Sequence, residues 1–168
     1  MIMKVIFLDI DGVLNNSEFI RNNHDDVVKL YKYNKDKIND VEFLINRQMM
    51  DIDNDKLDLL RGCIEEISDV VVVITSSWKK LKIFPHIITR LRNLGIPVIG
   101  YTIDNGNDRG MGIRKYLLEH NVSDFVILDD DVFTDYDEEL LKKLIKTSFF
   151  GDGFSEKESK ELKKRLKK

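Results

Sequence analysis

The chain has 168 residues, a net charge of -3, and 42% hydrophobic and 34% charged residues, values expected of one globular domain over residues 1–168 with no overall attraction to nucleic acid or an anionic membrane. No apolar run approaches the ~18 residues of a membrane span, and the start, Met1-Ile2-Met3-Lys4-Val5, lacks the charged-then-apolar order of a secretory signal. The single cysteine, Cys63, excludes an internal disulfide and a thiolate metal cluster, so the expected setting is reducing, the cytoplasm.

The first predicted element is the apolar run Val5 to Leu8, which stops abruptly at Asp9-Ile10-Asp11-Gly12. If the strand continues through Asp9, alternation points Asp9 and Asp11 the same way, and two like charges so placed repel unless a cation lies between them. A solvated turn with Gly12 at positive φ is the competing reading.

Residues 17 to 54, rich in Asn, Asp and Lys, fit no regular alternation and read as an insertion too short for a second domain. Asp51-Ile52-Asp53-Asn54-Asp55 begins like a calcium loop, but Lys56 occupies the glycine position and Gly62 the bidentate acid position. A turn in which Asp55 or Asn54 caps the next helix is expected instead. Leu57, Leu60, Ile64 and Ile67 then mark a helical face, with Cys63 beside it as a buried, inert thiol.

The run Val70 to Ile74 leads into Thr75-Ser76-Ser77-Trp78-Lys79. The stretch Trp78-Lys79-Lys80-Leu81-Lys82 admits two readings, stacking plus charge for a nucleic-acid end or a helix start with solvated lysines. Ile88, Leu91 and Leu94, closed by Gly95, form the next helical period, followed by a strand at Pro97 to Gly100. Arg109 precedes a helix carrying Ile113 and Leu117, and Phe125 to Leu128 runs into Asp129-Asp130-Asp131. A weaker strand spans Leu144 to Thr147; Ser155 to Glu158 resembles a capping box opening a last helix with Leu162 and Leu166 on one face. His24, His86 and His120 are isolated and receive no role, and the basic tail from Lys160 reads as a solvated helix face.

Strands without alternation are buried on both faces, and strand alternates with helix. The expected fold is therefore α/β: a doubly wound, Rossmann-like, mostly parallel sheet with helices on both faces and a short cap insertion after strand 1. Its ligand site lies at the carboxyl ends of the strands, which would gather Asp9, Asp11, Thr75, Ser76, Asp129 and Asp130. Carboxylates suit Mg²⁺, hydroxyls and backbone N–H groups suit phosphoryl oxygens, and a cation would offset charge developing in transfer. Arg109 is the candidate cation, with Lys79 or Arg114 as alternatives.

These residues, in this order, resemble the four motifs of the haloacid dehalogenase superfamily of phosphotransferases: Asp9-Ile10-Asp11-Gly12-Val13, then Thr75-Ser76, then Arg109, then Asp129-Asp130. The wording Leu14-Asn15, Thr75-Ser76-Ser77-Trp78-Lys79, Arg109-Gly110 and Ile127 to Asp131 is similar to small phosphatase-like domains associated with RNA repair proteins. The resemblance implies Asp9 as a nucleophile forming an aspartyl-phosphate and Asp11 as its acid and base. It also implies Mg²⁺ bound by the Asp9 carboxylate, the Asp11 main-chain carbonyl and the Asp129/Asp130 pair. Among Thr75, Ser76 and Ser77 the phosphate-binding hydroxyl is left open, with Thr75 favoured, and Asp131 blurs which acids hold metal. Arginine stands where the superfamily often has lysine.

A small cap leaves an open site, which suits a bulky phosphorylated substrate such as a polynucleotide end, a nucleotide or a phosphoprotein, with a nucleic-acid end or nucleotide preferred; no protein partner can be inferred from the pattern. A receiver-like signalling domain is the rival in another class, but its adjacent acids would follow the first strand rather than a late one. A catalytically silent phosphate-binding domain is the third reading, and it would not require Asp11.

Overall fold

The computed structural model describes residues 3–105 and 108–167. Five strands form one sheet: β1 (Met3–Leu8), β2 (Val70–Ile74), β3 (Val98–Tyr101), β4 (Val122–Asp129) and β5 (Leu144–Lys146), in the order β3-β2-β1-β4-β5. Every pairing is parallel, so the expected mostly parallel sheet is wholly so. β1 lies at the centre, in register with Val70 to Ile74 on one side and with Phe125 to Leu128 on the other. Its last four residues are completely buried, which is why the run carries no polar alternation.

The helices are α1 (Ser17–Asn22), α2 (His24–Tyr33), α3 (Val41–Met49), α4 (Asn54–Glu65), α5 (Phe84–Asn93), α6 (Arg109–Glu119), α7 (Glu138–Lys143) and α8 (Glu156–Leu166). They cover the sheet on both faces. On one, Ile6, Leu8, Val72, Ile74 and Val126 pack against Leu57 and Leu60 of α4, Ile87 and Leu91 of α5, and Leu162 and Leu166 of α8. On the other, Val5, Phe7, Val73 and Ile127 meet Ile113 and Tyr116 of α6 and Leu140 of α7. Phe7 stands edge-on to both Tyr116 and Phe125, at centroid distances of 5.6 and 5.8 Å. Fully burying one such side chain contributes about 1.5–3 kcal/mol, so the two apolar layers are the main source of stability.

Helix boundaries follow local chemistry. In α8, Ser155 accepts from backbone while Glu158 returns to the Ser155 N–H, the capping box that the sequence suggests. At α4 the cap is Asp53, which accepts from the Asp55 N–H at 3.0 Å, rather than Asn54 or Asp55. The reason is that Asn54 and Asp55 are already helical, and a cap must sit on the extended residue before them.

The region 17–54, expected as an irregular insertion, contains α1, α2 and α3, of which α1 and α2 bury no residue. It is tied down through Phe43 and Ile45 of α3, the Glu42–Arg90 pair at 2.6 Å, and the Asp53 N–H bonded to Leu14 O at 2.8 Å. Among the described residues no helix is long and apolar enough to cross a membrane.

Candidate active site

All five strands run parallel, so the residues following β1, β2 and β4 emerge at one edge of the sheet. Asp9 follows β1 directly, and its N–H still bonds Leu128 O at 2.9 Å, which fixes it beside the end of β4. The chain then turns: Leu14 N–H reaches Ile10 O at 2.8 Å, and the Gly12 N–H is held by Asn15 Oδ1 at 2.8 Å. Gly12 adopts φ +75°, and a Cβ there would lie 2.4 Å from the Asp130 carboxyl carbon. Thr147, just past β5, donates its hydroxyl to Gly12 O at 2.6 Å and locks the turn from the far side.

Gly12→Ala therefore meets both a disfavoured backbone and an occupied space. It is expected to cost about 2 kcal/mol in chemical denaturation and to displace Asp130. Stability equal to wild type would show that the turn relaxes freely.

Because the strand ends at Leu8, the alternation argument stops short of Asp11, and the two aspartates take different partners. Asp9 is 6% exposed and lies 3.2 Å from Arg109 Nη1. Asp11 is exposed, with Trp78 Nε1 donating to its Oδ2 at 2.9 Å and Asn15 Nδ2 to its Oδ1 at 3.0 Å. The same Asn15 amide bonds Asp51 O at 2.9 Å, connecting the Asp11 carboxylate to the inserted region.

Beyond β2, the Thr75 N–H bonds Leu8 O at 2.9 Å, which sets Thr75 alongside Asp9. Thr75 is 1% exposed, and its hydroxyl has no partner among the described residues. A buried, unsatisfied hydroxyl costs free energy unless a ligand or water completes it. Ser76 is fully buried, its hydroxyl accepting from the Trp78 N–H at 3.3 Å and its side chain helping to lower the Asp9 carboxyl against burial, whereas Ser77 is exposed.

The segment Trp78 to Lys82 matches neither expectation in full. Trp78 is only 5% exposed and its N–H is committed to Asp11, so its ring belongs to the core and offers no stacking face. Lys79 is not a solvated lysine: it forms a buried ion pair with Asp104 and also donates to Thr102 Oγ1 at 3.1 Å and Thr75 O at 3.3 Å. Burial pulls its ammonium below the usual lysine range.

Arg109 opens α6, is buried, and pairs through Nη1 with both Asp9 and Asp129. Arg114, one turn further on, is instead engaged by Asp137 at 2.5 Å and Glu139 at 2.7 Å. Asp129 is completely buried and accepts from the Asp131 N–H at 3.0 Å; Asp130 is half-buried. Asp131 is exposed, with its carboxylate turned to the Val132 N–H at 2.7 Å.

Carboxylate oxygens of Asp9, Asp129 and Asp130 all lie within 4.8 Å of one another. Burial pushes the Asp9 carboxyl up, against the opposing pull of Arg109, the Ile10 N–H and Ser76. Burial and then the Asp9 charge push Asp129 and Asp130 the same way. One guanidinium faces three carboxylates, so the ionised cluster carries surplus negative charge in an all-oxygen donor set. That is the chemistry of a hard divalent cation such as Mg²⁺, and these residues fit it.

A family model described as the HAD domain in Swiss Army Knife RNA repair proteins matches residues 5–159. The chain belongs to that family. The match runs from β1 into α8 and spans the inserted helices α1, α2 and α3. Searches of curated proteins and of solved structures gave no match. Membership puts this HAD domain in a hydrolase and phosphatase superfamily whose members act on phosphorylated substrates, generally with Mg²⁺.

Several neighbours of the HAD site carry no signal in the sequence. Phe133 lies under the Arg109 guanidinium at 4.3 Å, and Thr147 and Asp104 reach the site only through the fold. Two other groups are structural. Cys63 is buried with Sγ 3.0 Å from Ser159 Oγ, and burial pushes its thiol up; His120 stacks on Tyr116 at 3.9 Å.

Proposed function

We propose that this HAD domain, one domain over residues 1–168, is a Mg²⁺-dependent phosphomonoesterase that works through an aspartyl-phosphate on Asp9. The preferred substrate is a phosphorylated nucleic-acid end or a nucleotide, and the family's RNA repair setting supports that choice. The unpaired Cys63 is in keeping with a reducing, cytoplasmic setting.

The observation that supports the chemistry best is the division of labour between the two aspartates. Asp9 is buried against Arg109 and Ser76, as a nucleophile facing a phosphoryl group would be. Asp11 stands outside that cluster, exposed, and is oriented by Trp78 and Asn15. A phosphate-binding pocket alone would need no such second carboxylate.

In the first step an Asp9 oxygen attacks phosphorus in line, the new O–P bond forming as the bond to the leaving oxygen breaks. Asp11 gives that oxygen its proton. In the second step Asp11 takes a proton from water, whose oxygen attacks phosphorus and frees Asp9 and inorganic phosphate. Arg109, the orphan Thr75 hydroxyl and Ser76 hold the phosphoryl oxygens. Mg²⁺ would be held by the carboxylates of Asp9, Asp129 and Asp130 and the Asp11 carbonyl, and when bound it neutralises charge between an anionic nucleophile and an anionic substrate.

Hydrolysis of p-nitrophenyl phosphate and of a 3′-phosphorylated oligonucleotide is expected with Mg²⁺ and is expected to vanish with chelator. No turnover on a broad phosphoester panel would overturn the reading. Turnover of small metabolites with none of nucleotides or oligonucleotides would overturn its substrate half.

A further inference from the structure

Arg109 is held by more than its two carboxylates. The loop between β4 and α7 passes across the first turn of α6, and Phe133 in that loop presents its ring face to the guanidinium, with Arg109 Cζ 4.3 Å from the ring centroid. Phe133 is itself backed by buried Tyr136 at a centroid distance of 5.6 Å. Two residues further along the loop, the Asp135 carboxylate accepts from the Met111 N–H at 2.8 Å. A Cβ at Gly110 would lie 2.7 Å from Asp135 O and 2.9 Å from its carboxyl carbon, so only glycine beside Arg109 admits this approach.

The loop thus grips α6 at three consecutive residues, and at Arg109 it does so with a ring face placed against the guanidinium carbon. Both carboxylate contacts of Arg109 use the same nitrogen, Nη1. Its other N–H groups have no hydrogen-bond partner among the described residues. A tilt of the guanidinium plane that pivots on Nη1 would therefore preserve the ion pairs but swing the remaining donors away from the phosphoryl site. A ring against one face prevents that tilt.

We infer that Phe133 is a positioning residue that sets the plane of the Arg109 guanidinium, directing its free N–H groups to the phosphoryl oxygens. This rests on the phosphate-binding role proposed above for Arg109. It also explains why arginine stands at this position: an ammonium is a point charge without a plane, and a flanking ring cannot orient it.

The test combines Phe133→Leu, which keeps apolar bulk without the π face, Phe133→Tyr, which restores the face, and Phe133→Leu in an Arg109→Lys background. Phe133→Leu is expected to lower kcat/KM for p-nitrophenyl phosphate about tenfold and to weaken inhibition by inorganic phosphate by a similar factor, as loss of a desolvated cation–π contact would. Phe133→Tyr is expected to stay within about twofold of wild type, and in the Arg109→Lys background the leucine substitution should add less than about twofold.

A separate readout does not depend on turnover. The Arg109 Nε–H signal in NMR is expected to carry an upfield ring-current shift and slow solvent exchange in wild type and Phe133→Tyr, and to lose both in Phe133→Leu. If that signal is the same in wild type and Phe133→Leu, or if the leucine and lysine substitutions act independently, Phe133 does not position Arg109. A wild-type chain with the NMR signature but no phosphatase activity would overturn the proposed function while leaving the orientation of Arg109 by Phe133 in place.

Discussion

Asp9→Asn is expected to lower kcat/KM for p-nitrophenyl phosphate by at least about 10⁴-fold, because an amide is not a nucleophile and no other carboxylate follows β1 beside Arg109 and Ser76. Binding of inorganic phosphate should survive, since Arg109, Thr75 and Ser76 are untouched. Wild-type turnover in Asp9→Asn would remove the aspartyl-phosphate mechanism.

The same substitution has a second expected result, in stability without metal. Asp9 and Asp129 hold their protons more tightly when folded than the ordinary carboxyl, whose unfolded value is about 3.9. Asp129 is pushed up to about 7 by burial and by Asp9. Between those limits the folded chain binds more protons than the unfolded one, so the free energy of unfolding falls as pH rises through the window. Below it the contribution is fully favourable, and above it the contribution is lost. In Asp9→Asn the slope should flatten, because one raised carboxyl is gone and the charge that helps raise the other goes with it. Saturating Mg²⁺ should reverse the slope in wild type, since a cation binds the ionised cluster and competes with its protons. Urea midpoints between pH 4.5 and 7.5, with and without Mg²⁺, measure this, and a wild-type slope persisting in Asp9→Asn would place its origin elsewhere.

Asp11→Asn should divide the two steps of the reaction. Loss of a general acid and base costs about 10²–10⁴-fold, and the cost falls differently on different leaving groups. With p-nitrophenyl phosphate the leaving group departs without a proton, so phosphorylation of Asp9 continues while hydrolysis of the aspartyl-phosphate stalls. The expected trace is a burst of p-nitrophenol close to one equivalent of enzyme followed by a slow steady state. With a nucleotide or oligonucleotide, where the leaving oxygen needs the proton, the burst should disappear and single-turnover rates should fall about 10³-fold. An unchanged steady state on both substrates would remove the acid and base role from Asp11. The mechanism also predicts a milder version in Trp78 and Asn15 variants, because those side chains donate to the two oxygens of the Asp11 carboxylate.

The sheet was legible because its inner strands are short apolar runs buried on both faces, at Val5 to Leu8, Val72 to Ile74 and Phe125 to Leu128, and such runs need no knowledge of their neighbours to be recognised; the edge strands β3 and β5 are shorter and partly exposed. The helices α4, α5, α6 and α8 announced themselves through one apolar face each, and α8 also through its cap. By contrast α1 and α2 bury no residue and α7 buries only Leu140, and α1 and α7, at six residues each, are too short for a helical period to stand out. The convergence of Asp9, Thr75, Ser76, Asp129 and Asp130 followed from topology alone, since parallel strands release their following residues at the same edge.

By itself, then, the sequence determined the fold class, the family resemblance and the set of oxygen-bearing side chains at the strand ends, all of which depend on periodicity and order along the chain. Only the tertiary structure decided how those side chains are divided. It brought Arg109 rather than Lys79 or Arg114 to Asp9, joined Asp130 rather than Asp131 to the carboxylate cluster, gave Asp11 to Trp78 and Asn15, and laid Phe133 on the guanidinium. Contacts such as Asp11 to Trp78 and Arg109 to Asp129 join residues 67 and 20 positions apart. Their partners are chosen by packing across the sheet edge, where burial removes water and leaves each charge to the nearest group that can satisfy it.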